Sequence, residues 1–179
     1  MTCKIAKRGY NGQKEVTDME KMKIRRAMPA DLEKIEAIYA AARQFMCENG
    51  NPTQWNDGYP RRELLETDIR LERLYVAVTE DQICGVFMFA LGEDPTYSYM
   101  EDGNWRSDTP YGTIHRIAST GSGVFAAALE FCRSQCNHIR VDTHADNKPM
   151  QHLAEKNGFS RRGIIYVEDG TPRIAYDLI

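Results

Sequence analysis

Residues 113–144 read TIHRIASTGSGVFAAALEFCRSQCNHIRVDTH, and this stretch decides the fold. Its two ends, 113–119 and 139–144, have the composition of short strands, and an apolar helix is predicted from about 124 to 135. The turn at 120–123 contains two glycines and leads directly into the helix. Backbone N–H groups at such a helix start, together with the helix dipole, favour a bound pyrophosphate. A plain connecting turn is the alternative, because the loop has neither the lysine of a Walker A motif nor a third glycine.

Further elements flank this unit on both sides. Periodicity predicts strands at 23–27, 74–78, 82–91, 160–167 and 173–178, and helices at 32–47, 61–71 and 147–156. Residues 92–112 show no period, and so long an irregular segment in a compact domain is typical of a binding loop or lid. This mixture of helices and strands around a central β-loop-α-β unit predicts an α/β (α+β) layered domain over residues 22–179.

Composition limits the classes of function. A length of 179 residues predicts a single domain. The net charge of -3 argues against a general nucleic-acid binder, since such proteins need a basic face. The five cysteines form no CxxC pair, which predicts reduced thiols and no metal site. Residues 1–21 are predicted to be a polar extension without a secretory signal, and no apolar run is long enough to span a membrane. We therefore expect a cytoplasmic protein.

From about Met22 to Ile179 the order of elements resembles the GNAT acyltransferase family. The similarity is carried by IRRAMPADL at 24–32, by IHRIA at 114–118, and most specifically by Asn147, Leu153 and KNGF at 156–159. It implies a mixed, mostly antiparallel central sheet flanked by helices, with acetyl-CoA as co-substrate and a homodimer as the expected assembly. The contacts to acetyl-CoA that it implies are Ile117, Ala118, Ser119, Gly121, Ser122, Gly123, Val124, Phe125 and Asn147.

Acyl transfer to an amine needs a general base, and histidine is the natural side chain near neutral pH. The candidate catalytic residues are His115 and His144, with Asp142 as a partner. Strand alternation places Asp142 and His144 on one polar face, which we expect to line a cleft. The same alternation in 113–119 places His115 and Arg116 on opposite faces. Whether His115 shares a face with Asp142 is left open.

Structural roles are the alternatives for these side chains. An ion pair between Asp142 and either Arg116 or Arg140 would serve stability alone, and His115 would then be a hydrogen-bonded core residue. In the resembled fold, the first helix-loop-helix and the 92–112 loop flank the acceptor side of the cleft. Packing beneath those loops is the alternative role of their aromatic residues. The candidate substrate-binding residues are Trp55, Tyr59, Tyr97, Trp105 and Arg116.

The predicted function is an N-acyltransferase that moves an acetyl group from acetyl-CoA to the primary amine of a small molecule, by direct attack in a ternary complex. The acid-rich 92–112 loop would suit a cationic acceptor. One alternative is a non-catalytic acyl-CoA-binding or sensor module, because Ala154 stands where many relatives carry tyrosine and the phosphate loop lacks a basic residue. A protein N-terminal or lysine acetyltransferase is the other.

Overall fold

Seven strands and four α-helices are formed by residues 22–179, the part of the chain that the computed structural model describes. The predicted extension at 1–21 lies outside these residues. The strands are β1 (Lys23–Arg26), β2 (Leu74–Thr79), β3 (Gln82–Leu91), β4 (Gly112–Ser119), β5 (Ile139–Thr143), β6 (Ser160–Tyr166) and β7 (Pro172–Leu178). The helices are α1 (Leu32–Glu48), α2 (Arg62–Arg70), α3 (Val124–Arg133) and α4 (Lys148–Lys156).

All strands join one sheet in the order β1-β2-β3-β4-β5-β7-β6. Neighbours are antiparallel except β4 and β5, which are parallel. The parallel register pairs only Gly112 with Ile139 and Thr113 with Arg140, and beyond these pairs the two strands separate. The predicted mostly antiparallel sheet flanked by helices is confirmed, and its one parallel junction opens into a gap.

Apolar clusters cover both faces of the sheet. On one face Ile139 and Val141 of β5 pack with buried residues of α3 such as Leu129, so the predicted apolar face of β5 is correct. On the other face Ile35 of α1 and Leu65 of α2 are fully buried against β2 and β3. Within residues 22–179, no helix has the length and apolar character needed to cross a membrane.

A β-bulge in β4 changes which side chains share a face. The register with β3 shifts between Val86 and Met88, and Arg116 has a positive φ of 52°. The hydroxyl of the fully buried Tyr39 on α1 donates to the Arg116 carbonyl oxygen at 2.9 Å and supports this backbone. Bulges re-aim side chains, because one extra residue breaks the two-residue period.

The alternation predicted for β4 is therefore wrong from Arg116 onward. Ile114 and Ile117, an odd number of residues apart, pack against the same apolar cluster beside α3. Ala118 belongs to the cluster on the α1 side of the sheet. As a result, His115 and Arg116 both direct their polar groups to residues on that second side, Asp142 and Asp68 respectively.

Candidate active site

The separation of β4 from β5 opens a cleft of about 1020 Å³. The cleft is bordered by the α1–α2 loop, the segment that follows β3, the first residues of α3 and α4, and the β6–β7 turn. Backbone of β4 beyond Thr113 lies at this gap, where β5 no longer pairs with it. A slot with a strand edge along one wall suits an extended ligand that bonds to backbone groups.

His115 lies in the wall of the cleft between two carboxylates. Its Nε2 is 2.7 Å from Oδ2 of Asp94, and its Nδ1 is 3.6 Å from Oδ1 of Asp142. The side chain remains 21% exposed. The first distance is a hydrogen bond and the second is longer than one, so we assign the proton of the neutral ring to Nε2. Nδ1 then keeps a lone pair beside Asp142.

Asp94 is fixed by a short turn near the start of the β3–β4 connection. Its carboxylate accepts from the Thr96 N–H at 2.9 Å, and it caps the 3-10 turn Pro95–Tyr97. Burial acts to raise the pKa of Asp94, but the hydrogen bond and charge of His115, with the bonds from Thr96, outweigh it and lower the pKa to about 2. Asp94 is therefore ionised at neutral pH and orients the imidazole.

Asp142 is held in position by a hydrogen bond from the buried Tyr97. The Tyr97 hydroxyl donates to Oδ1 of Asp142 at 2.8 Å, and the ring is only 3% exposed. Burial and the charge of Asp142 hold the pKa of Tyr97 well above its usual range. Tyr97 thus stays a hydrogen-bond donor at any physiological pH.

Neither arginine considered as a partner for Asp142 takes that role. Arg116 pairs with Asp68, which is fully buried and also accepts from Arg73 at 2.8 Å. Burial acts to lower the pKa of Arg116, but the charges around it, first Tyr59 and then Asp68, raise it. Arg140 is stacked between aromatic rings, with its guanidinium carbon 3.9 Å from the Trp105 ring centre and 3.7 Å from that of Tyr111.

Of the nine predicted acetyl-CoA contacts, five line the cleft and four lie outside its lining. Ile117, Ala118, Ser119, Phe125 and Asn147 line it. Gly121, Ser122 and Gly123 form an exposed turn at the start of α3, and Val124 is buried beneath it. Gly123 has a φ of 81°, a left-handed conformation that glycine adopts without strain. Asn147 caps α4 by accepting from the Met150 N–H, and its amide also donates to Gln54 of the α1–α2 loop at 3.0 Å.

The predicted acceptor and catalytic residues occupy three different positions relative to the cleft. Trp55, Tyr59, Arg116, His115 and Asp142 line the cleft. Tyr97 and Trp105 lie beneath it, where the indole N–H of Trp105 donates to the Tyr97 carbonyl oxygen at 3.0 Å. His144 follows β5 outside the lining residues, and its Nδ1 accepts from the Asp146 N–H at 3.2 Å.

Sequence reasoning missed the role of Asp94. Asp94 is one of several acids in the 92–112 loop, 21 residues before His115, and no sequence pattern predicts that the two residues meet. The Asp-Pro-Thr run at 94–96 does indicate a capped turn, which is the one local signal available. No group of three or more possible metal-ligating side chains occurs within residues 22–179.

A mixed sheet that splits between one parallel strand pair, with a helix start at the split, defines the GNAT class of fold. The structure is similar to a GNAT-family acetyltransferase from Streptococcus agalactiae, with 29% identity, a TM-score of 0.80, and coverage of 88% of this chain and 95% of that one. It is also similar to an acetyltransferase from Staphylococcus aureus, with 26% identity, a TM-score of 0.61, and coverage of 86% and 96%.

A ribosomal-protein-alanine N-acetyltransferase from Brucella melitensis shares 20% identity, a TM-score of 0.55, and coverage of 88% and 99%, which shows the fold alone. No protein-family model and no curated protein sequence matches the chain. The chain has the fold of the GNAT-family acetyltransferases to which it is similar, and these neighbours support acyl transfer as the general activity.

Proposed function

We propose that this protein transfers the acetyl group of acetyl-CoA to the primary amine of a small molecule in a ternary complex. The observation that carries the proposal is the position of His115, held by Asp94 in the wall of the cleft where β4 leaves β5. A nitrogen base fixed by a carboxylate, beside a slot for an extended ligand, is what direct aminolysis of a thioester needs.

Acetyl-CoA would lie along the β4 side of the gap. In this arrangement the backbone of Ile117 to Ser119 faces the pantetheine arm, and the N–H groups of the 121–125 turn face the pyrophosphate. The backbone at Gly121 is open to a large anion, since nothing but the Cys84 Cβ, at 3.8 Å, lies near the position that a Cβ would take there. The positive end of the α3 dipole would attract the pyrophosphate in place of the basic side chain that the turn lacks.

The amine nitrogen would attack the thioester carbonyl carbon, forming the C–N bond while the carbonyl electron pair moves to oxygen. That pair returns as the C–S bond breaks and CoA leaves as the thiolate. Nδ1 of His115 takes the proton from the amine, and the nearby Asp142 stabilises the imidazolium. Because Ala154 is fully buried in the core and offers no acid, the proton held on His115 would pass through water to the thiolate, which regenerates the neutral imidazole.

The first test is binding. At about 100-fold excess over Kd, acetyl-CoA should stabilise the fold by roughly 2.7 kcal/mol, seen as a rise in Tm that NAD does not produce. No shift with CoA or acetyl-CoA would remove the acyltransferase proposal.

Turnover is the second test, with thiol release followed across small amines and peptides. His115→Ala should lower kcat by at least about tenfold while the Tm rise with CoA persists. An unchanged kcat would exclude His115 as the base. Binding without any turnover would favour a sensor module, and turnover restricted to peptides would favour a protein acetyltransferase.

A further inference from the structure

Arg173 is a buried cation in the wall of the cleft. It lies on β7, is only 8% exposed, and lines the cleft. Its neighbour Ile174 belongs to the cluster beside α3, so the Arg173 side chain lies on the opposite face of the sheet. Asp142 pairs across the strands with Ala175, which makes Arg173 its diagonal neighbour on that face, about 7–8 Å away.

The positive charge of the Arg173 guanidinium lacks the partner groups that stabilise the charge of other arginines in this region. Within residues 22–179 no carboxylate lies within 4.0 Å of it, and its one hydrogen bond goes to the adjacent Pro172 carbonyl oxygen at 3.3 Å. Arg116, by contrast, is held by Asp68, and Arg140 by two aromatic rings. An unpaired buried charge is costly, so its retention in a cleft indicates an anionic ligand.

The surroundings place that ligand on the acceptor side. Arg173 lines the cleft together with Asp142, Asp169 of the β6–β7 turn and Tyr59 of the α1–α2 loop. The turn that faces the pyrophosphate in the proposed function begins α3, which packs on the other face of the sheet. An anion at Arg173 is therefore part of the acceptor rather than of CoA.

We infer that Arg173 binds a carboxylate of the acceptor, so that the substrate class is a small amine that also carries a carboxylate, as amino acids do. The inference rests on the proposed function. The guanidinium would hold the carboxylate through two N–H groups. Asp142, the diagonal neighbour of Arg173, and His115 beside it would receive the amine end of the same molecule.

The test compares amino acids with their primary amides, which keep the amine and lose the charge. The unaltered protein should show a kcat/KM for acids about 10–100-fold above that for amides, the range expected for a charge-assisted hydrogen bond. Arg173→Met should abolish this preference by lowering the value for acids, and Arg173→Lys should restore part of it. Arg161→Met removes the same charge from the exposed side of β6 and should leave the preference unchanged.

A binding measurement keeps the inference testable without turnover. With CoA present, N-acetyl amino acids should raise the Tm of the unaltered protein more than their amides do, and Arg173→Met should remove the difference. If they do so while no amine is acetylated, the carboxylate site stands and the proposed function fails. Equal kcat/KM for acids and amides, or an acid preference that survives in Arg173→Met, would overturn the inference and leave acetyl transfer intact.

Discussion

Replacing Asp94 by asparagine removes one charge beside His115 and keeps an oxygen that can accept from the Thr96 N–H. The pKa of Asp94 falls from 3.8 to about 2 in the fold. At roughly 1.4 kcal/mol for each tenfold change in proton affinity, this corresponds to about 2 kcal/mol of stability. Because 21% of the side chain is exposed, water screens part of the interaction. We expect Asp94→Asn to lose about 1–2 kcal/mol at pH 7.

The pH dependence of the stability difference between Asp94→Asn and the unaltered protein tests this prediction more specifically than a single value at pH 7. A lowered pKa contributes stability that is present above the unfolded value of 3.8 and is lost as the pH falls through about 2. Urea denaturation at a series of pH values should therefore show the gap between Asp94→Asn and the unaltered protein closing as the pH falls through this range. Asp108→Asn, an exposed acid in the same loop, is the control and should show no gap. A variant as stable as the unaltered protein at pH 7, or a gap that is constant with pH, would refute the reasoning.

Two further predictions concern the support of the cleft. Asp68→Ala leaves two arginines without their shared, fully buried carboxylate and should lower the free energy of unfolding by about 3 kcal/mol in urea denaturation; a loss below roughly 1 kcal/mol would contradict the buried ion pair. Gly85→Ala would place a Cβ 2.4 Å from Cγ1 of Val124 at the start of α3, costing about 1–3 kcal/mol and weakening the Tm rise with acetyl-CoA. Adding Val124→Ala should recover most of both losses, and no recovery would assign the effect to another contact.

Strand β5 shows how much of the fold the two-residue period of a strand predicts. Ile139 and Val141 enter the core because alternation in a regular strand needs no knowledge of its neighbours. The same reasoning failed in β4, where the bulge at Arg116 is set by α1 through the hydroxyl of Tyr39, a contact 77 residues distant in the chain.

The amino-acid sequence by itself determined the helices and strands, the order of the β-loop-α-β unit and His115 as a candidate base, since these depend on local spacing and residue chemistry. Only the tertiary structure decided the environment of that base. Asp94 and Tyr97 come from an aperiodic loop and meet His115 and Asp142 through sheet pairing. The lone charge of Arg173 is likewise invisible in the sequence, because an unpaired ion is defined by which partners the fold leaves out of reach.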